Sequence, residues 1–413
     1  VDNEEDDMRL WQTNPLNGIT LIRGEGCTVW DATGKSYVDL LAGTWCNVLG
    51  YGHPRWAAAV RSQAGKLAHV GSAFSAAEVD EALRKLAEIL PPALERAVLL
   101  NTGSEAVELA LKMARACTGA DTVAVVEKGY YGATSYALSL SEAGRSAPYL
   151  PEPGNVVRLP APFCGRCSAA RARPCAGFPC LDQLRAAAAA GKPAIAAIVY
   201  EPVMAVGGMI VPPPGYGREL RELADRCGCL LVSEEVTTGV GRTGRWFGFE
   251  HDGVVPDVVV IGKAIGGGLP VSAVATTGAV ERRCQGVLRH VQSHQNDPFS
   301  GRIAATVISI IQDEGLVERA SVEGDRLLEG LRALQSRYPA IRDVRGKGLM
   351  AGIELQEHLS GAGAELQGRL LEAGFITDYQ PANATFRLFP PYVVPRAELG
   401  RFLEALEQGL HLL

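Results

Sequence analysis

The sequence predicts an α/β fold in which a mostly parallel sheet is covered by helices and joined to a smaller α+β part built from both ends of the chain. Three observations carry this. Short β-branched runs alternate with Ala/Leu/Arg-rich stretches of helical period, the runs lack internal polar alternation as strands buried on both faces do, and they cluster between about residues 95 and 280. Composition agrees: 413 residues, 47% hydrophobic and 21% charged, suffice for a deep core and a second domain. A net charge of -6 offers no field for phosphate backbones, which excludes a nucleic-acid partner from the expectations. The most apolar runs, Ala186 to Ala190 and Ala194 to Tyr200, are broken by Gly191, Lys192 and Pro193, so no membrane span is expected. Ten cysteines are too sparse for a secreted scaffold, and the opening Val1-Asp2-Asn3-Glu4-Glu5-Asp6-Asp7 contains no apolar leader; a reducing cytoplasm is the expected location.

Taken in order, Gly26 to Asp39 reads as a hairpin, with Cys27 to Trp30 and Ser36 to Asp39 flanking an Asp31-Ala32-Thr33-Gly34 turn. Strands follow at Ala97 to Leu100, Thr122 to Val126, Ile195 to Tyr200, Cys229 to Ser233, Val258 to Ile261 and Ser272 to Thr276. Ala186 to Ala190 belongs to a helix. Ile303 to Ile311 and Val317 to Ser336 read as amphipathic helices, Arg345-Gly346-Lys347-Gly348 as a Gly-rich link, Leu349 to Leu355 as a strand and Ala397 to Leu412 as a helix. The expected division is an N-terminal segment over 1–50 that joins the small domain, a large domain over 51–300 and a C-terminal small domain over 301–413.

Three motifs carry chemistry. Asn101-Thr102-Gly103-Ser104-Glu105-Ala106 lies between a strand and a helix whose apolar side holds Val107, Ala110, Leu111 and Ala114; such a helix start is either a phosphate cradle or an ordinary Ser/Thr cap. Lys263 emerges from the strand Val258 to Ile261 into Gly266-Gly267-Gly268. Partial burial there lowers an amine pKa, and the missing side chains leave room for a flat ligand, as Schiff-base chemistry requires. A Walker A loop is excluded, since neither Ser nor Thr follows Lys263 and no glycine stands at the required upstream spacing. In the third motif, Glu234-Glu235 closes the strand Cys229 to Ser233 ahead of Gly239, Gly241 and Gly244. Those glycines satisfy G-x-G-x-x-G, but Arg245-Trp246-Phe247 follows them where a dinucleotide fingerprint needs a helix. Buried carboxylates at a strand end require a cation, and a protonated pyridinium is one candidate.

With these motifs in this order, from about Gly24 to the C-terminus, the chain resembles the class III aminotransferases, fold-type-I enzymes dependent on pyridoxal 5'-phosphate (PLP). It is especially similar to the branch containing dialkylglycine decarboxylase. The resemblance implies a Schiff base on Lys263, phosphate binding by Gly103 and Ser104, and a ring-stacking aromatic at Tyr130 in Gly129-Tyr130-Tyr131-Gly132, where Tyr131 replaces the family's histidine. It further implies a homodimer with shared active sites, through Ser293 at the position of the phosphate-binding threonine of the neighbouring subunit, and a carboxylate clamp at Arg387 in Phe386-Arg387-Leu388-Phe389-Pro390-Pro391. The bland alternative for Arg387 is a surface arginine on an edge strand. The Gly43-Thr44-Trp45 turn is expected at the substrate.

Where the family reads Asp-Glu-Val/Ala-Gln-Thr-Gly, this chain carries Glu234 for the aspartate that faces the pyridine nitrogen and Thr237 for the glutamine beside the ring hydroxyl. Val203, Met204, Ala205 and Val206 follow Glu201-Pro202 without the glutamate that masks the arginine in similar ω-amino acid transaminases, so Arg387 is expected to stay free. Thr44 and Val206 replace the decarboxylase's glutamine and serine, which disfavours decarboxylation. Cys164, Cys167, Cys175 and Cys180 have spacing that permits a metal, although free or occasionally paired thiols are the expectation. His53 and His294 have no second ligand at metal spacing. The implied reaction moves an amino group between a small-molecule amino donor and a keto acceptor; a racemase, a decarboxylating transaminase or an aminomutase is the alternative on the same scaffold.

Overall fold

The computed structural model describes residues 11, 13, 17–145, 147–150, 153–166, 177–190 and 195–413. The strands are β1 (Leu21–Glu25), β2 (Thr28–Asp31), β3 (Ser36–Asp39), β4 (Arg96–Leu100), β5 (Thr122–Val126), β6 (Val156–Leu159), β7 (Ile195–Tyr200), β8 (Leu230–Glu235), β9 (Val258–Ile261), β10 (Ser272–Thr276), β11 (Ile341–Gly346), β12 (Ala351–Leu355), β13 (Phe375–Ile376), β14 (Asp378–Gln380) and β15 (Thr385–Leu388). A seven-stranded sheet has the order β4-β10-β9-β8-β7-β5-β6, parallel throughout except for β10, which runs against both β9 and β4. Successive residues of β9 feed opposite cores: Val259 and Ile261 enter the one shared with Ile303 and Ile308, Val258 and Val260 the one shared with Val107 and Leu111. Two-sided burial is why these strands carry no polar alternation.

Two four-stranded sheets, β1-β2-β3-β13 and β11-β12-β15-β14, adjoin a third core that includes Leu327, Leu366 and Phe402. Val38 of β3 pairs with Phe375 of β13, so the N-terminal hairpin is completed by C-terminal chain. The six expected central strands and the hairpin are present. β1, β6, β11, β13, β14 and β15 were not foreseen, because they are short or interrupted by charge: β1 reads Leu-Ile-Arg-Gly-Glu and is largely exposed. The Gly-rich link is shorter than expected, since β11 extends through Gly346.

Gly239, Gly241 and Gly244 are packing glycines. A Cβ at Gly241 would lie 3.2 Å from Val317 Cγ2, and one at Gly244 2.8 Å from Ser321 Cβ, both on the helix Leu316–Arg337. On the same helix, a Cβ at Gly324 would fall 2.1 Å from the backbone of Gly348. Gly324→Ala is therefore expected to destabilise the protein by about 1–3 kcal/mol through overpacking, although alanine alone favours a helix by ~1 kcal/mol. Urea unfolding that shows equal or greater stability would refute this contact.

Because β4 and β9 both oppose β10, the carboxyl ends of β4, β5, β7, β8 and β9 share one edge of the sheet. In open α/β sheets that edge is where ligands bind.

Candidate active site

A cavity of about 290 Å³ opens at this edge, lined by Gly103, Ser104, Tyr130, Glu234, Thr237 and Lys263. It thus gathers residues from Cys46 to Val271, 225 positions apart in the chain. Arg387 and Trp45 adjoin it through Lys263, whose Nζ lies 5.1 Å from the Trp45 ring centroid, while the Arg387 guanidinium lies 5.0 Å from that centroid. Thr44 is exposed and does not line the cavity. Neither does Ser293, which is exposed in the segment before the helix Pro298–Asp313.

At one pole the helix Gly103–Thr118 starts directly after β4. The two sequence readings of this start coexist. Thr102 is the cap: its hydroxyl accepts from Glu105 N at 3.2 Å, and Glu105 Oε2 accepts from Thr102 N at 2.9 Å. Gly103 and Ser104 then occupy the first helical turn, whose amides have no intrahelical acceptor and point toward an anion. Ser104 Oγ accepts from Ala133 N at 2.9 Å and keeps its own proton to donate. Gly103 is required for closeness, since a Cβ there would lie 2.8 Å from Val236 Cγ2.

The opposite pole is acidic. Glu234 is the penultimate residue of β8, buried, and its Oε1 accepts from Val236 N at 3.2 Å. Burial, reinforced by the neighbouring Glu201, pushes its carboxyl well above the usual carboxylate range. Glu201 immediately follows β7; burial pushes it up to about 8, and its Oε1 accepts from Tyr130 N at 2.6 Å. Thr237 Oγ1 is buried without a hydrogen-bond partner among the described residues. A native site with two buried carboxyls and an orphaned hydroxyl is built for a polar ligand.

Lys263 takes a left-handed conformation, φ 44°, where its strand ends. Such strain in a residue bearing Cβ costs about 1–3 kcal/mol and is concentrated at functional sites. Burial lowers its ammonium pKa and Arg387 adds to the effect, against the attraction of Glu234, Cys46 and Glu201. A larger fraction of free amine, hence of nucleophile, follows. Tyr131, the histidine replacement, is a brace: its hydroxyl donates to Val126 O and accepts from Val126 N, each at 2.9 Å.

The segment carrying Trp45 is a left-handed turn. Ala42, Gly43, Thr44 and Trp45 all have positive φ, between 48° and 75°. Asp39 at the end of β3 secures it, accepting from Leu41 N and Gly43 N at 2.8 Å each and from Tyr51 OH at 2.6 Å. The indole then stacks on Phe389 with ring centroids 4.3 Å apart.

Two expectations are corrected. Arg387 is not free: Asp378 Oδ2 accepts from its Nε at 2.5 Å and lies 2.5 Å from its Nη2. The masking carboxylate comes from β14, not from the segment after Glu201, where Val206 lines the cavity. β15 is also an inner strand and Arg387 is buried, which removes the edge-strand alternative. His294 does have neighbours at metal spacing, since His69 and Asp297 bring ligand atoms within 4.8 Å of its own. His69 is too distant in the chain for spacing to reveal. Both imidazoles hydrogen-bond to the Asp297 carboxylate at 2.5 Å. Cys167 and Cys175 lie outside the described residues, so the four-cysteine arrangement is not placed. Glu201, Cys46 and Asp378 were missed. Glu201 bore the same signal as Glu234, a carboxylate closing a buried strand; Asp378 bore none.

The chain matches the family described as Aminotransferase class-III over residues 11–410. It is 36% identical over 403 residues to the acetylornithine aminotransferase of Mycolicibacterium smegmatis, covering 97% of this chain and 94% of that one. Its fold superposes with a TM-score of 0.90 on an amine transaminase of an uncultivated Pseudomonas species in its PLP-bound form, at 27% identity over 98% of this chain and 99% of that one. An (S)-enantioselective omega-transaminase of Thermomicrobium roseum gives a TM-score of 0.89 at 29% identity, covering 97% and 96%. The cavity fits the cofactor of these enzymes: it brings together an anion-binding helix start at Gly103 and Ser104, an orphaned Thr237 hydroxyl, the buried Glu234 carboxyl and Lys263. The chain belongs to the class III aminotransferases and is a PLP-dependent transaminase.

Proposed function

We propose that this transaminase moves an amino group between an amino acid or amine and a keto acid, with Lys263 as the group that bonds the cofactor and carries the proton. The supporting observation is the meeting of Lys263, Glu234 and the Gly103–Ser104 amides in one cavity. PLP, when bound, supplies the electron sink for the carbanion left at the substrate carbon. Gly103 and Ser104 would hold its phosphate by amide and hydroxyl donation, Tyr130 would pack on its ring, and Thr237 would offer its hydroxyl to the ring oxygen. Glu234 would hold the ring nitrogen by its carboxylate and favour its protonated form. Lys263 Nζ would take up the proton from the substrate carbon and hold it for return, and Arg387 would orient the carboxylate.

Finer points are proposed with it. Likeness to the dialkylglycine decarboxylase branch is a kinship of scaffold, because Thr44 and Val206 stand where that enzyme's glutamine and serine are expected. The domain division at about residues 50 and 300 is supported by the pairing of β3 with β13. Exposure of Ser293 outside its own cavity supports a homodimer in which each copy lends this hydroxyl to the other's phosphate. A cytoplasmic location rests on composition; among the described residues no helix is long and apolar enough to cross a membrane.

Borohydride reduction of the loaded enzyme followed by peptide mapping is expected to label Lys263, and amino donors are expected to bleach the visible cofactor absorbance until a keto acid restores it. An unlabelled Lys263 in fully loaded protein overturns the assignment. Sustained turnover with no acceptor present would replace transamination by racemase, decarboxylase or aminomutase chemistry.

A further inference from the structure

Arg387 and Asp378 are direct cross-strand partners of β15 and β14. The guanidinium is buried, with its side chain 7% exposed, whereas the Asp378 side chain is 25% exposed on the three-residue edge strand β14. One oxygen, Asp378 Oδ2, lies 2.5 Å from both Nε and Nη2, and Nη1 is 3.5 Å from Ala205 O. The other basic group sharing the Trp45 ring is Lys263, which supplies no negative charge to Arg387. Asp378 is therefore the carboxylate that compensates Arg387 before substrate arrives. A buried guanidinium deprived of it would be an uncompensated charge.

We propose that Asp378 is a specificity-determining residue, the built-in competitor of the substrate carboxylate for Arg387; this rests on the reading of Arg387 as the carboxylate site. Its effect follows from electrostatics. An incoming carboxylate meets a guanidinium already neutralised along its Nε–Nη2 edge and must share or displace that partner, which weakens its binding. A donor without a carboxylate leaves the pair intact and meets a locally neutral wall. The edge position matters: β14 has a neighbour on one side only and the Asp378 side chain is partly exposed, so its carboxylate has solvent to turn toward. Asp378 thus narrows the advantage of amino acids over plain amines.

Holoenzymes carrying Asp378→Asn and Asp378→Ala are compared with the unaltered protein on a matched donor pair, an α-amino acid and the amine left by removing its carboxylate, against one keto acid. The ratio of kcat/KM for acid over amine is expected to rise about tenfold in both variants, mainly through a lower KM for the acid. A ratio unchanged within twofold, with normal cofactor absorbance, overturns the proposal. Added to Arg387→Ala, Asp378→Asn is expected to leave the ratio unmoved; a remaining effect there also overturns it. If Arg387→Ala itself keeps the full preference for the acid, the carboxylate-site reading fails instead, which separates the two failures. Should the neutral variants not fold, Asp378→Glu decides. A longer side chain loosens the cross-strand pair and is expected to raise the ratio at least threefold; an unchanged ratio overturns the proposal.

Discussion

Replacing Lys263 by alanine is expected to lower turnover by about four orders of magnitude, close to 5 kcal/mol of barrier. On the proposed reading the amine both bonds the cofactor and moves the proton, and its position is held by a strained backbone at the end of β9. Lys263→Arg should fare little better. It keeps a charge but offers a delocalised, permanently protonated guanidinium in place of a free amine. A stopped-flow half-reaction measured on protein preincubated with PLP separates chemistry from cofactor loss. Retention of more than a hundredth of the original rate by Lys263→Ala would mean that another group carries the proton.

Second in size is Glu234→Gln, expected to cost about 10²–10³-fold in kcat while leaving the fold intact. The carboxyl is buried and, without a ligand, held well above its usual range by that burial and by Glu201. On the proposed reading a protonated ring nitrogen would add to Lys263 a second positive charge that offsets this burial. At a few ångströms in a screened interior the attraction is on the order of 4 kcal/mol. Glutamine keeps the shape and removes the charge. Glu234→Asp restores the charge one methylene shorter and is expected to stay within about tenfold of the parent. If the two substitutions prove equally damaging, geometry rather than charge is the function of this side chain.

Much of this was legible because the relevant signals are local. A buried parallel strand writes itself as an uninterrupted β-branched run, and the chemistry of an α/β protein sits where such runs stop; Glu234, Lys263 and Gly103 were visible for that reason. What could not be read is what depends on pairing. Asp378 lies on a three-residue strand whose partner is set by sheet order, and nothing in Asp-Tyr-Gln announces an arginine opposite. His69 and Asp297 meet across 228 residues. The G-x-G-x-x-G spacing shows the converse, a local pattern whose cause is partly distant, since Gly241 and Gly244 make room for the helix Leu316–Arg337.

The left-handed turn at Ala42–Trp45 limits how the substrate range of this enzyme can be altered. The indole reaches Lys263 and Arg387 because four successive torsions are unfavourable for most residues, and Asp39 together with the contact on Phe389 holds them there. Shrinking Trp45 to admit bulkier donors removes one of those two restraints along with the volume. Pocket enlargement and backbone relaxation are one event at this position, so a broader pocket made here would come with a less defined one unless the Asp39 anchor is reinforced at the same time.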